Sequence, residues 1–316
     1  LAEAKASKED LVEAVYRAAG DAATVIAIKP VPKKASVKDK ADKKPETMVM
    51  LASDFQTGKT TPSYNSEVAA ERVALYGEKM LRLLEIQRKD HPVNDGVLAL
   101  LGDLVEGEDI FPGQEWRIDA SLYAQIFHTA EMVMNLIRVL LRELDHLEVV
   151  CVDGNHGRIG RPGQYHPETN TDRMVYRIAQ MMLKDENRIT WNFPDPKGER
   201  NWYTIIHVGN WHALAVHGDQ FKGGFAGLPW YSFAKKINSW AAGAIRDPFG
   251  DVLMGHWHQV AKVPLNTRSV YVNGSTESYN TWSQELLGNM SDPAQWLLFV
   301  DPAKGRVTSS YEVHLT

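Results

Sequence analysis

In Val97-Leu98-Ala99-Leu100-Leu101-Gly102-Asp103-Leu104-Val105-Glu106, an unbroken apolar run over Val97 to Leu101 ends on a glycine and a carboxylate. The run Val97 to Leu101 shows no polar alternation, which predicts a short buried strand. Asp103 and Glu106 emerge where that strand stops. In an open α/β sheet this carboxyl edge is where ligands bind. Upstream, Met48 to Ala52 reads as another strand. Ser66 to Lys89 reads as an amphipathic helix, with Val68, Val73, Leu75, Met80, Leu83, Leu84 and Ile86 on its apolar stripe and Ser66 as its N-cap. Downstream, a helix over Ser121 to Leu144, a strand over Leu147 to Val152 and a helix over Thr171 to Lys184 continue the alternation.

The second half is richer in strands. They are read near Arg188 to Phe193, Tyr203 to Val208, His212 to His217, Val252 to Met254, Ser269 to Val272, Trp296 to Val300 and Thr308 to Val313, with a helix over Trp230 to Ile245. Alternation that gives way to a run of strands predicts a layered α/β fold with two packed sheets. Ahead of this lie a short helix (Lys8 to Ala19), an apolar run (Ala23 to Ile28) and a lysine- and proline-rich stretch from Lys29 to Pro45. That stretch cannot bury a core and reads as a tether, or as a basic arm that touches a polyanion. The expected division is an N-terminal segment and linker over 1–46 and a catalytic domain over 47–316.

With 316 residues, 44% of them hydrophobic and 24% charged, the chain has the length for a large core and the make-up of a soluble globular protein. A formal net charge of -5 gives no global basic excess to advertise nucleic-acid binding, although a local patch or bound cations can supply the positive field. The single cysteine, Cys151, excludes an internal disulfide and a thiolate zinc cage. Set within Leu147 to Val152, it reads as a small buried hydrophobe. No apolar run reaches bilayer length and no signal peptide is visible, so a cytoplasmic setting without membrane association is expected.

Five segments place metal-competent side chains directly after an apolar run: Ser53-Asp54-Phe55-Gln56, Gly102 to Glu106, Gly154-Asn155-His156-Gly157, His217-Gly218-Asp219 and Gly255-His256-Trp257-His258. Residues i and i+2 of an extended chain share a side, so Asp54 with Gln56, and His256 with His258, can face one centre. Asp103 has oxygens enough to bridge two cations, and Asn155 offers a hard, neutral amide oxygen. Oxygen and imidazole donors without sulfur suit Mn, Fe, Zn or Ni. Two such ions ~3.5–4 Å apart clamp the attacking and leaving oxygens of a phosphoryl displacement, and a water bridging them becomes hydroxide near neutral pH. His156, beside a ligand but separate from it, is the candidate proton donor to the leaving oxygen.

From about Met48 to Gln259, this ordered series resembles the calcineurin-like metallophosphoesterase family, whose pattern is D-x-H, G-D-x-x-D, G-N-H-D/E, H and G-H-x-H. The resemblance implies an α/β fold, a four-layer αββα sandwich with two mixed sheets. It implies two divalent ions, Mn foremost, with Asp54, Asp103 and His258 holding one and Asp103, Asn155, His217 and His256 the other. It makes His156 the histidine that contacts the phosphate. Two positions depart from the pattern. Gln56 stands where histidine is usual and would bind metal less well; Gly157 stands where an acidic residue often orients the catalytic histidine, a task left to Asp153 or Glu106.

For the substrate, Gly102 to Gly107 with Ile110 to Gln114 resembles the small exonuclease subunit of the archaeal D-family DNA polymerase, and the layout looks like the SbcD-type DNA-repair nucleases. Arg158 and Arg161 follow the catalytic histidine and are read as phosphate grips or as solvated side chains. Lys222 and Phe225 lie in the glycine-rich loop Asp219 to Trp230, read as a nucleic-acid contact or as a mobile loop with core anchors. A metal-dependent DNA nuclease is therefore expected. The alternatives are a phosphatase or small-nucleotide phosphodiesterase, and a scaffold subunit that kept the fold without turnover. SbcD-type relatives often work with an ATPase partner; no capture element for one, or for a homo-oligomer, is readable here.

Overall fold

The computed structural model describes residues 2–25, 28–33, 44–194, 201–223, 227–281, 284–285, 288 and 290–316. Strands β1 (Thr47–Ala52), β2 (Asp95–Leu100), β3 (His146–Cys151) and β4 (Ile189–Asn192) run parallel. Beyond β1 the sheet is extended antiparallel by β10 (Ala294–Asp301) and β11 (Arg306–His314), in the order β11-β10-β1-β2-β3-β4. A second mixed sheet has the order β5-β6-β7-β9-β8, from β5 (Tyr203–Val208), β6 (Trp211–Val216), β7 (Asp251–Met254), β8 (Ala261–Leu265) and β9 (Arg268–Val272).

Period-two alternation of the strands explains the layering. In β1, Met48 and Met50 face a helical layer made of α1 (Ala2–Val25), α2 (Ser66–Gln87), α3 (Leu122–Leu140) and α4 (Thr171–Met182). Val49 and Leu51 face the opposite way and meet Ile206, Ala213, Ala215 and Leu253 of the second sheet. The outer face of that sheet, with Ile205, Leu214, Val252 and Met254, is covered by Phe233 and Ile237 of α5 (Trp230–Ser239). Three apolar seams thus separate four layers, helices–sheet–sheet–helix. Both faces of the central strands are buried, which is why their sequences are continuously apolar. Cys151 lies fully buried among the residues under α2 to α4.

Several boundaries differ from the sequence reading. Asn65, not Ser66, caps α2: its side-chain oxygen accepts the Val68 N–H at 2.9 Å, while Ser66 hydrogen-bonds to Asp119. Helix α1 runs on to Val25, through the start of the apolar run at Ala23, and sets Val15 and Ala19 into the helical layer. Helix α5 stops at Ser239 and passes into a π-turn over Trp240–Ala244, where Gly243 takes φ 119°. Strand β8 was not anticipated, because Pro264 interrupts its sequence; it is an edge strand, where the missing N–H is tolerated.

Residues 34–43 of the lysine-rich stretch lie outside the described residues. Ahead of them, Ile28 and Val31 pack on the helical layer, and the Val31 N–H donates to Glu186 at 3.1 Å. Among the described residues, no helix is long and apolar enough to cross a membrane.

Candidate metal centre

The first sheet's parallel strands β1, β2 and β3 end just before Asp54, Asp103 and Asn155, and the second sheet's β6 and β7 end just before His217 and His256. Because the two sheets face each other, these strand ends meet at one edge of the sandwich. His217 Nε2 lies 3.0 Å from Asp103 Oδ2, 3.2 Å from Asn155 Oδ1 and 3.3 Å from His256 Nδ1. His258 Nε2 lies 3.2 Å from Asp54 Oδ1, and the His256 N–H donates to the same carboxylate. Donor atoms of Asp103, His217 and His256 all fall within 4.8 Å of one another.

The backbone is bent to bring this about. Asp54, Gln56, Asp103, His256 and His258 all have positive φ, between 47° and 71°. For a residue with a Cβ the left-handed region costs roughly 1–2 kcal/mol, and such cost gathers where function needs a particular geometry. The left-handed turn lets a chain leaving a strand swing its side chain back over the strand ends. It replaces the simple i, i+2 argument from extended chain, since neither Asp54–Gln56 nor His256–His258 is extended.

Ring orientation is set from behind. His217 Nδ1 bonds the Leu101 carbonyl at 2.7 Å, so Nε2 faces the cluster. His258 Nδ1 bonds the Glu277 carboxylate at 2.6 Å, so Nε2 faces Asp54. Burial pushes Asp103 up, but His217, His156 and His256 outweigh it and hold its carboxyl well below the usual range. Burial, then His217, pushes His256 down to about 3. Burial lowers His258, but Glu277 and Asp54 outweigh it and lift the group to about 10.

The donor set fits divalent cations. It combines carboxylate, amide oxygen and imidazole without sulfur. Gln56 is fully buried, and its Oε1 has no hydrogen-bond partner in the protein, while its Nε2 reaches Asp103 only at 3.5 Å. A buried acceptor without a donor is costly unless something outside the chain satisfies it.

His156 sits at the rim. Its backbone N–H donates to Asp103 Oδ1 at 2.7 Å, and its Nδ1 lies 2.9 Å from the Glu106 carbonyl and 3.4 Å from Glu106 Oε2. Of the two carboxylates read as able to orient His156, Glu106 is the one beside it; Asp153 instead pairs with Arg173 at 2.7 Å. Burial lowers His156, but Asp103 and Glu106 outweigh it and raise the group above its ordinary value. The Phe111 ring stands edge-on to the imidazole, 6.1 Å between centroids.

The other predicted residues divide. Arg158 is half-buried and donates to the carbonyls of Asn155 and Ile110, so it braces the loops around His156. Arg161 and Lys222 are exposed, and neither side chain is among the contacts that form the cluster. Phe225 lies outside the described residues.

Two buried residues, Glu277 and Asp172, escaped the sequence reading. Glu277 links His258 to Lys59, whose Nζ is 2.6 Å away. It follows strand β9 through Asn273-Gly274-Ser275-Thr276, so the signal that marked the other segments, polar residues after an apolar run, was present. Asp172 accepts the N–H groups of Asp103, Leu104 and Gly154, each at 2.9 Å. Its place in the first turn of α4 looks like ordinary helix-end chemistry, and only the fold shows what it faces.

No protein-family model matches the sequence, and a search of curated proteins finds no match. Among solved structures, the chain is similar to a hypothetical protein of Pyrococcus horikoshii (12% identity, 85% of this chain and 88% of that one, TM-score 0.42). It is also similar to an archaeal phosphodiesterase (11%, 84% and 99%, TM-score 0.35) and to a phosphoesterase from E. coli (14%, 84% and 100%, TM-score 0.34). At such TM-scores the likenesses carry no inference about activity, which rests on the side chains at the sheet edge.

Proposed function

We propose that this chain is a metal-dependent phosphodiester hydrolase that acts on DNA. The observation that carries the reading is the meeting of Asp54, Asp103, Asn155, His217, His256 and His258 at one edge, with the His156 N–H anchored on Asp103. On this reading Asp54, Gln56, Asp103 and His258 hold one divalent ion, and Asp103, Asn155, His217 and His256 the other. Divalent ions held there, Mn²⁺ foremost, would supply Lewis acidity toward a phosphoryl oxygen and toward water.

The chain's own residues do the rest. Glu106 holds Nδ1 of His156, which leaves Nε2 to carry a proton for the leaving oxygen. Asp103 and Glu106 raise His156 above its ordinary value, the direction that favours the protonated ring. Phe111, 38% exposed beside His156, and Trp116, 84% exposed in the same loop, offer faces on which bases stack. These aromatics favour a base-bearing diester over a simple phosphate monoester.

The test is direct. The purified chain with Mn²⁺ is assayed on single- and double-stranded DNA, bis-p-nitrophenyl phosphate and p-nitrophenyl phosphate. DNA cleavage with diester turnover is expected. Monoester cleavage alone would replace this reading with a phosphatase. Inertness on every substrate despite bound metal would leave a scaffold that kept its ligands.

A further inference from the structure

We infer that Asp172 is the positioning residue that sets the Asp103 loop against the Asn155–His156 loop; this rests on reading Asp103 and Asn155 as metal ligands. Asp172 is fully buried at the start of α4. Its Oδ2 accepts the N–H of Asp103 and of Gly154, and its Oδ1 that of Leu104. One carboxylate therefore joins the loops that follow the adjacent strands β2 and β3. Gly102 and Asp103 have φ 86° and 53°. This left-handed turn takes the N–H groups of Asp103 and Leu104 off the sheet ladder, and a buried N–H must find an acceptor elsewhere. The two side-chain oxygens of Asp172 thus face three backbone donors, whereas an amide of the same shape would turn its own N–H₂ toward some of them.

The rest of the helix start completes the joint. Asn170 accepts the Asp172 N–H at 2.8 Å and donates to the Gly154 carbonyl at 3.0 Å. The Gly157 carbonyl accepts from the Thr171 N–H at 2.6 Å and the Thr171 hydroxyl at 3.0 Å. A Cβ at Gly157 would stand 2.3 Å from Asn170 Oδ1 and 2.9 Å from Asp172 Oδ2. The space that a side chain at 157 needs is thus filled by polar groups of α4.

The test titrates Mn²⁺ into the full chain by calorimetry, comparing the unaltered protein with Asp172→Asn and Gly157→Ala. Asp172→Asn is expected to weaken binding about 10–100-fold, the size of effect seen when outer partners of metal ligands are lost. Gly157→Ala touches no ligand but displaces Asn170 and Asp172, and should weaken binding in the same direction. Far-UV circular dichroism and the thermal midpoint separate this from unfolding, and if Asp172→Asn does not fold, Gly157→Ala decides alone. Tight binding by the unaltered chain with unchanged affinity in the folded variants overturns this inference alone. Absence of Mn²⁺ binding by the unaltered chain overturns the reading of the centre, and this inference with it. Metal binding that responds as expected, in a protein inactive on DNA, would leave the inference standing and remove only the proposed activity.

Discussion

His258 Nδ1 lies 2.6 Å from the Glu277 carboxylate, and this contact turns Nε2 to within 3.2 Å of Asp54. The same carboxylate is paired with Lys59 Nζ at 2.6 Å, so one buried group holds a ring and neutralises a cation. Such partners raise ligand basicity and fix the ring; their loss typically costs 10–100-fold in metal affinity. Glu277→Gln keeps the shape but removes the charge. It should weaken Mn²⁺ about tenfold or more at the site served by His258 and Asp54, read as a change in one of two calorimetric phases. Identical isotherms would show that Glu277 is only a strut for the Ser275–Asn280 loop.

His156 contributes to the cluster through its backbone N–H, which alanine retains, while its ring is held by Glu106. His156→Ala should therefore leave metal affinity in place while diester turnover drops by about 10²–10⁴, the usual size of a general-acid contribution. Loss of metal in this variant would mean that the imidazole is itself a ligand.

The strands and their end-on polar residues were legible because buried parallel strands are apolar without a break, as in Val97 to Leu101, and so announce where they stop. Five segments in order sufficed to name the cluster that His217, Asp103 and His256 form. What stayed hidden depends on tertiary neighbours. Nothing local tells Asp172 in a helix's first turn from an exposed capping acid, yet it is 0% exposed. The preference for Asn65 over Ser66 as a cap was equally unreadable, because both residue types cap well and the choice falls to Asp119, which takes Ser66 away. The left-handed turns at Asp54, Gln56, Asp103, His256 and His258 leave no mark in composition.

Glu186 binds the start of the lysine-rich stretch at Val31. It accepts the Val31 N–H and pairs with Arg188 at 2.9 Å, and Arg188 donates to the Val31 carbonyl at 2.7 Å. Burial pushes Glu186 up, but Arg188 and the Val31 N–H outweigh it and hold its carboxyl below the ordinary value. A folded value below the unfolded one means stability that is present above the ordinary glutamate range and lost as pH falls through the folded value. The thermal midpoint of Glu186→Gln should lie below that of the unaltered chain at pH 7, and the gap should close as pH falls below the ordinary glutamate value of roughly 4.3. A gap independent of pH would assign the loss to packing instead of charge.

Gln56 presents the most direct test of the donor set. Its Oε1 is buried without a partner, its Nε2 reaches Asp103 only at 3.5 Å, and it stands two residues from Asp54. If that oxygen faces a cation, an imidazole in its place should bind more tightly, since a neutral ring nitrogen is a better donor than an amide to Mn, Fe, Zn or Ni. Histidine also tolerates the left-handed backbone found there, φ 47°, as His256 and His258 already do. Gln56→His is expected to tighten the weaker Mn²⁺ phase and to leave the other unchanged. Tightening confined to that phase would link Gln56 to the ion shared by Asp54 and His258. An isotherm that superimposes on that of the unaltered chain removes Gln56 from the ligands and leaves its orphan oxygen to be satisfied by water.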